Sequence, residues 1–142
     1  MVLAEIGPEV SRFPSAAHLA SWAGLCPGNN ESAGKRKSGT TGKGDVWLRS
    51  ALIEAAQAAS RCKDSHFASL YQRLAARRGA KKAITAVAHS LLRVIYHLLA
   101  HDCPYTDLGP RYLEERDRHH LERRLVRRLE GFGYTVTLEP AA

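Results

Sequence analysis

The stretch AKKAITAVAHSLLRVIYHLLA, residues 80–100, decides the fold. Ile84, Val87, Ala88, Leu91, Leu92, Ile95, Leu98 and Leu99 recur at steps of three and four, which puts them on one wide face of an α-helix. A face that wide needs neighbours on more than one side, so this segment is predicted to be the central helix. His89, Arg93 and His97 interrupt it, and no apolar run reaches the roughly 20 residues that a bilayer crossing needs.

Working upstream, Gly79 is a helix stop, preceded by a helix that Asp64 is placed to cap, with Phe67, Leu70, Tyr71 and Leu74 on one stripe. Asp45 caps another helix, whose apolar positions are Leu48, Leu52, Ala55, Ala56 and Ala59; small residues there permit close helix approach. Ser15 caps a short helix through Gly24 that carries Leu19, Trp22 and Ala23. The first residues read as the tail of a helix closing at Gly7, with Leu3 and Ile6 lacking anything upstream to pack on, as though the domain began earlier. Downstream, a charged helix from about Pro110 to Glu130 carries Leu113, Leu121, Leu125 and Leu129 on a narrow face, and Tyr134–Leu138 alternates as one short strand. One strand builds no sheet. The fold class is therefore mainly α: a compact domain of about four to five helices with a long basic Gly-rich loop and a short C-terminal strand.

A length of 142 residues suits one domain with a real core. The net charge of +7 and pI near 9.7 favour a polyanionic partner, such as DNA, RNA or an acidic membrane surface. Cys26, Cys62 and Cys103 are widely spaced and odd in number, which fits reduced thiols in the cytoplasm better than a disulfide framework. No basic-then-apolar leader opens the chain, so a cytoplasmic location is expected.

In PGNNESAGKRKSGTTGKG, residues 27–44, Lys35, Arg36, Lys37 and Lys43 stand among glycines. Glycines let a backbone approach a phosphate and present N–H groups, while the cations supply charge. A nucleotide P-loop is excluded, because Gly42-Lys43-Gly44 lacks the magnesium-binding hydroxyl and follows a helix. A solvated, flexible loop has the same composition. Arg49, Arg77, Arg78, Lys81 and Lys82 extend the basic set, although cations at a helix C-terminus are also favoured by its dipole. Ser32 and Ser38 are the loop hydroxyls beside these cations; a serine needs activation to be a nucleophile, and composition does not choose between them. The histidines, His119 and His120 included, assemble no zinc site, and the scattered acids assemble no two-carboxylate or Ser-His-Asp hydrolase.

The order of these pieces is specific. FPSAAHLASWAGLCP (13–27), then Glu31-Ser32, GKRKSG (34–39), GKG (42–44), Leu48-Arg49 and RRGAKK (77–82) together resemble the C-terminal transposase domain of the insertion-sequence one-ten / one-sixteen / nine-oh-two family, relatives of the pilin-gene inverting recombinases. The resemblance runs from about Leu3 to Tyr105. It implies a serine domain over 1–105 and a charged extension over 106–142. It further implies that Ser32 is the nucleophile that attacks a DNA phosphodiester to give a covalent intermediate, with Ala33 standing where glycine is frequent.

Family members pair this domain with an N-terminal RuvC-like domain whose DEDD acids hold magnesium, and a bridge RNA guides them to DNA. The resemblance thus implies no cofactor in this chain, magnesium in the N-terminal domain, and DNA, a guide RNA, that domain and further copies of the protein as partners, with no membrane. Lacking the acids, the isolated chain is expected to bind nucleic acid weakly and to catalyse little. The rival expectations are a non-catalytic nucleic-acid-binding remnant of a transposase, and a helical protein–protein adaptor.

Overall fold

The structure is a computed structural model that describes residues 2–7, 9–28 and 30–139; of residues 30–32 and 36–38 it describes the backbone alone. Along the chain lie α1 (Val2–Ile6), a 3-10 turn (Val10–Arg12), α2 (Ala16–Trp22), β1 (Asn30–Ser32), β2 (Lys35–Ser38), α3 (Val46–Ala59), α4 (His66–Arg78), α5 (Ala80–His101) and α6 (Tyr112–Glu130). The domain is mainly α-helical, as the apolar periodicity predicts.

Helix α5 is central: α2, α3, α4 and the 3-10 turn all pack against it. Its Val87, Ala88 and Leu92 meet Leu19 and Ala20 of α2 and Ala23 just after it, Leu48, Leu52 and Ala56 of α3, and Phe67 of α4 in one apolar cluster. The alanines let helices approach closely, and the larger residues fill the space between them. Truncating a fully buried leucine such as Leu52 or Leu92 costs about 2–5 kcal/mol. The Tyr96 hydroxyl donates to the Phe13 carbonyl at 3.0 Å, tying the second half of α5 to the segment that enters α2. By length and composition alone α5 is also long and apolar enough to cross a membrane. Here it is the helix on which the others pack.

Local chemistry sets the boundaries. Ser15 and Asp45 cap α2 and α3 by accepting from the His18 and Leu48 amides, the latter at 2.7 Å. At α4 the cap is Ser65, which accepts from the Ala68 amide, and not Asp64; Asp64 sits one residue earlier in a left-handed conformation, φ 56°. Gly79, with φ 83° and ψ 157°, ends α4 and starts α5 without an intervening residue, a backbone state open essentially only to glycine.

Three further expectations need correction. Ile6 is not an orphan: it is 1% exposed within the main cluster, while Leu3 stays 55% exposed. The segment 134–138 forms no strand, since the described residues place no second strand beside it to take its N–H and C=O groups, and Tyr134 and Leu138 are exposed. The strands instead lie inside the Gly-rich segment, as an antiparallel pair β1–β2.

Helix α6 is peripheral. Buried Leu113 and an Arg73–Asp117 ion pair hold it to α4, and Leu121, Leu125 and Leu129 face solvent. The linker before it is fastened by Asp107, whose carboxylate accepts from the His66 amide at 3.0 Å, the Gly109 amide at 2.7 Å and the Tyr105 hydroxyl at 2.9 Å.

Candidate nucleic-acid interface

The basic segment leaves the body at Gly24 and returns at Gly44. These two glycines meet backbone to backbone: a Cβ on Gly24 would stand 2.9 Å from the Gly44 nitrogen and Cα. Gly24 also adopts φ 67°. The Asp45 amide donates to the Trp22 carbonyl at 3.3 Å, completing the closure. Beyond it the chain runs out as a ribbon. Pro27 pairs with Thr41, the Gly28 amide donates to the Thr40 carbonyl at 2.9 Å, and β1 pairs with β2 through Asn30–Ser38, Glu31–Arg36 and Ser32–Lys35. A bulge lies between Asn30 and Glu31.

Ala33 and Gly34 form the tip, with φ 52° and 74°. Two central residues at positive φ make the two-residue turn whose twist matches antiparallel strands. Glycine adopts this state freely, while alanine costs about 1–2 kcal/mol in it. The geometry separates the two serines. Ser32 is the last strand residue before the tip, opposite Lys35, whereas Ser38 lies at the far end of β2, opposite Asn30. The side chains of Ser32, Ser38, Arg36 and Lys37 lie outside the described atoms.

Arg49 is used differently from the other cations. From the first turn of α3 its guanidinium donates to the Gly42 carbonyl at 3.2 Å and the Thr41 hydroxyl at 2.9 Å, bracing the returning strand. Lys35 and Lys43 are exposed. Arg77, Arg78, Lys81 and Lys82 are exposed around Gly79, at the corner between α4 and α5. The candidate cations therefore fall into two groups, one on the ribbon and its base, the other on the α4–α5 corner.

Among the described residues no three His, Cys, Asp or Glu side chains converge as a metal ion would need. His89, on α5, titrates below the usual histidine range because burial, and then the neighbouring Arg93, disfavours its charged form. Two features escape a reading of the sequence. The Ala33-Gly34 turn is missed because alanine is not a residue such turns favour and because polar strands flank it instead of alternating apolar ones. Val46 and Trp47, on the first turn of α3, are 68% and 67% exposed beside the ribbon's base; an aromatic outside the apolar stripe of an otherwise regular helix is the sign the sequence offers.

Comparison with known proteins bears on the family resemblance. Residues 1–72 match the family described as Transposase IS116/IS110/IS902. A protein of Pseudomonas aeruginosa described as a probable family 20 transposase is 31% identical over 101 residues, covering 68% of this chain and 30% of that protein. The chain thus spans less than a third of that relative's length. No solved structure matches it. With half of its length matched in a single stretch, the chain belongs to the IS116/IS110/IS902 family of transposases.

Proposed function

We propose that this chain is the serine-bearing, DNA-contacting part of a transposase, and that the ribbon of residues 27–41 carries the reacting hydroxyl. One observation supports the choice of serine above others: Ser32 ends β1 at a two-residue turn and stands opposite Lys35, an exposed cation. A hydroxyl at the tip of a projecting ribbon can reach a phosphodiester that a residue against the body cannot. In the proposed step the Ser32 oxygen gives up its proton and bonds to phosphorus. The bridging oxygen of the DNA strand leaves and takes a proton, so one phosphate ester replaces another.

Lys35, with Arg36 and Lys37, supplies positive charge to the phosphate as negative charge builds on it. Lys43 and the Gly79-corner cations Arg77, Arg78, Lys81 and Lys82 hold backbone phosphates on either side, and Arg49 fixes the ribbon's base. In the whole protein a separate domain with metal-binding acids acts on the same phosphate, a guide RNA selects the DNA, and copies of the protein assemble around it. Residues 106–142 are an extension outside the reacting domain.

The test is the salt dependence of DNA binding. Alanine at Lys35, Arg36 and Lys37 together should weaken binding and flatten log affinity against log salt by about 0.9 for each phosphate left without its cation. An unchanged slope removes the ribbon from the DNA backbone and refutes the reading.

A further inference from the structure

Where the ribbon rejoins the body, the first turn of α3 presents Val46 and Trp47 to solvent, 68% and 67% exposed. A large indole left in water at the start of a 14-residue helix does nothing for the core, since α3 packs through Leu48, Leu52 and Ala56. Lys43, Arg49, Ser50, Ile53 and Glu54 line a shallow depression together with Val46. Its floor is apolar, and two cations against one acid form its charged rim.

We infer that Trp47 is a stacking platform for an unpaired DNA base whose backbone lies along Lys43 and the ribbon. The inference rests on the DNA-contacting reading and adds a binding residue to it. Two arguments select this occupant. Trp47 follows Lys43 by four residues, next to the depression that Lys43 lines with Val46; an exposed indole near positive charge suits single strands, because every base has a π-face and its phosphates need cations. The patch is also too small for a stable protein partner. Two side chains offer at most a few hundred Å², against roughly 800 Å² per partner in a standard interface. A base needs one ring face. A strand held open beside a reacting phosphodiester would supply one, and Trp47 would keep that base from pairing again next to the Ser32 ribbon.

The experiment uses the full chain in a Trp22→Phe background, so that Trp47 is the sole indole. Labelled oligo(dT) should bind by anisotropy and quench the Trp47 emission, and a duplex of equal length should bind with little quenching. Trp47→Ala should lower oligo(dT) affinity about tenfold or more, Trp47→Phe should restore most of it, and duplex affinity should stay within about twofold. At 67% exposure the substitution removes no core packing, and circular dichroism checks the fold. Oligo(dT) binding without quenching, or with affinity unchanged in Trp47→Ala, overturns the platform while leaving DNA contact intact. Binding of neither DNA overturns both readings. Quenching by oligo(U) but not oligo(dT), or only by an added N-terminal domain of a family member, assigns the surface to another occupant and also overturns the proposal.

Discussion

Gly24 and Gly44, twenty residues apart in sequence, touch through their backbones and so fix the two ends of the ribbon that bears Ser32. Nothing larger than hydrogen fits at either position: a Cβ on Gly44 would overlap the backbone of Ala23 and Gly24. Gly42, two residues before the clasp, has no atom within 4 Å of its would-be Cβ and so provides a control. Gly44→Ala should destabilise the domain by about 1–3 kcal/mol in urea unfolding, the usual cost of forcing atoms into filled space. Gly42→Ala should stay within about 0.5 kcal/mol. Equal effects would show that the clasp does not hold the ribbon.

At the other end of the ribbon, Ala33 holds φ 52° in a turn that favours glycine. Ala33→Gly should relieve this and raise stability by about 1 kcal/mol. The measurement is the urea midpoint at unchanged slope. A lower midpoint would mean that the tip does not adopt this turn in solution.

The bonds of Arg49 make a different prediction from that of a phosphate contact. With two N–H groups committed to Thr41 and Gly42, Arg49→Ala should speed hydrogen exchange at the Gly28 amide, which pairs across the ribbon with Thr40. The salt slope of DNA binding should not change. A slope reduced by about 0.9, with Gly28 exchange unaltered, would instead place Arg49 on a phosphate.

The linker before α6 should depend on pH at both extremes. Burial raises the Asp107 carboxyl, but the His66 and Gly109 amides and the Tyr105 hydroxyl outweigh it and leave the group below its ordinary 3.8. Because the folded value is depressed, the stabilisation is complete above the ordinary value and is lost as pH falls through the folded one. Tyr105 moves the other way, pushed up to about 12 by burial first and then by Asp107, so its contribution is complete below 10.0 and is lost as pH rises towards 12. Amide shifts of His66 and Gly109 followed by NMR should therefore change below pH 3.8, and Asp107→Asn should abolish that acid limb. An acid limb that persists in Asp107→Asn would assign it to another group.

The helices are legible in the sequence because their signals are local. Leu48, Leu52 and Ala56 mark a helical stripe, Ser15 and Asp45 mark starts, and Gly79 marks a corner, each within one or two turns. The ribbon is not, since polar strands carry no alternation and their pairing is fixed by the Gly24–Gly44 clasp and by Arg49, all distant in sequence. Ile6 misleads for the same reason: its neighbours lie far along the chain. Ser32 is proposed from the ordered motifs, while its position at the end of β1, next to a two-residue turn, cannot be read from them.

The central claim is that the Ser32 hydroxyl, at the tip of the ribbon, forms the bond to DNA. It is tested most directly by trapping the covalent product. The chain, joined to the metal-binding domain of a family member and supplied with magnesium, guide RNA and labelled DNA, should give a protein–DNA adduct that survives denaturation. Ser32→Ala should abolish the adduct and leave DNA affinity nearly unchanged, because the hydroxyl makes a bond and contributes little to binding. Ser38→Ala, at the far end of β2, should retain at least part of the adduct. An adduct that persists in Ser32→Ala and disappears in Ser38→Ala would contradict the account.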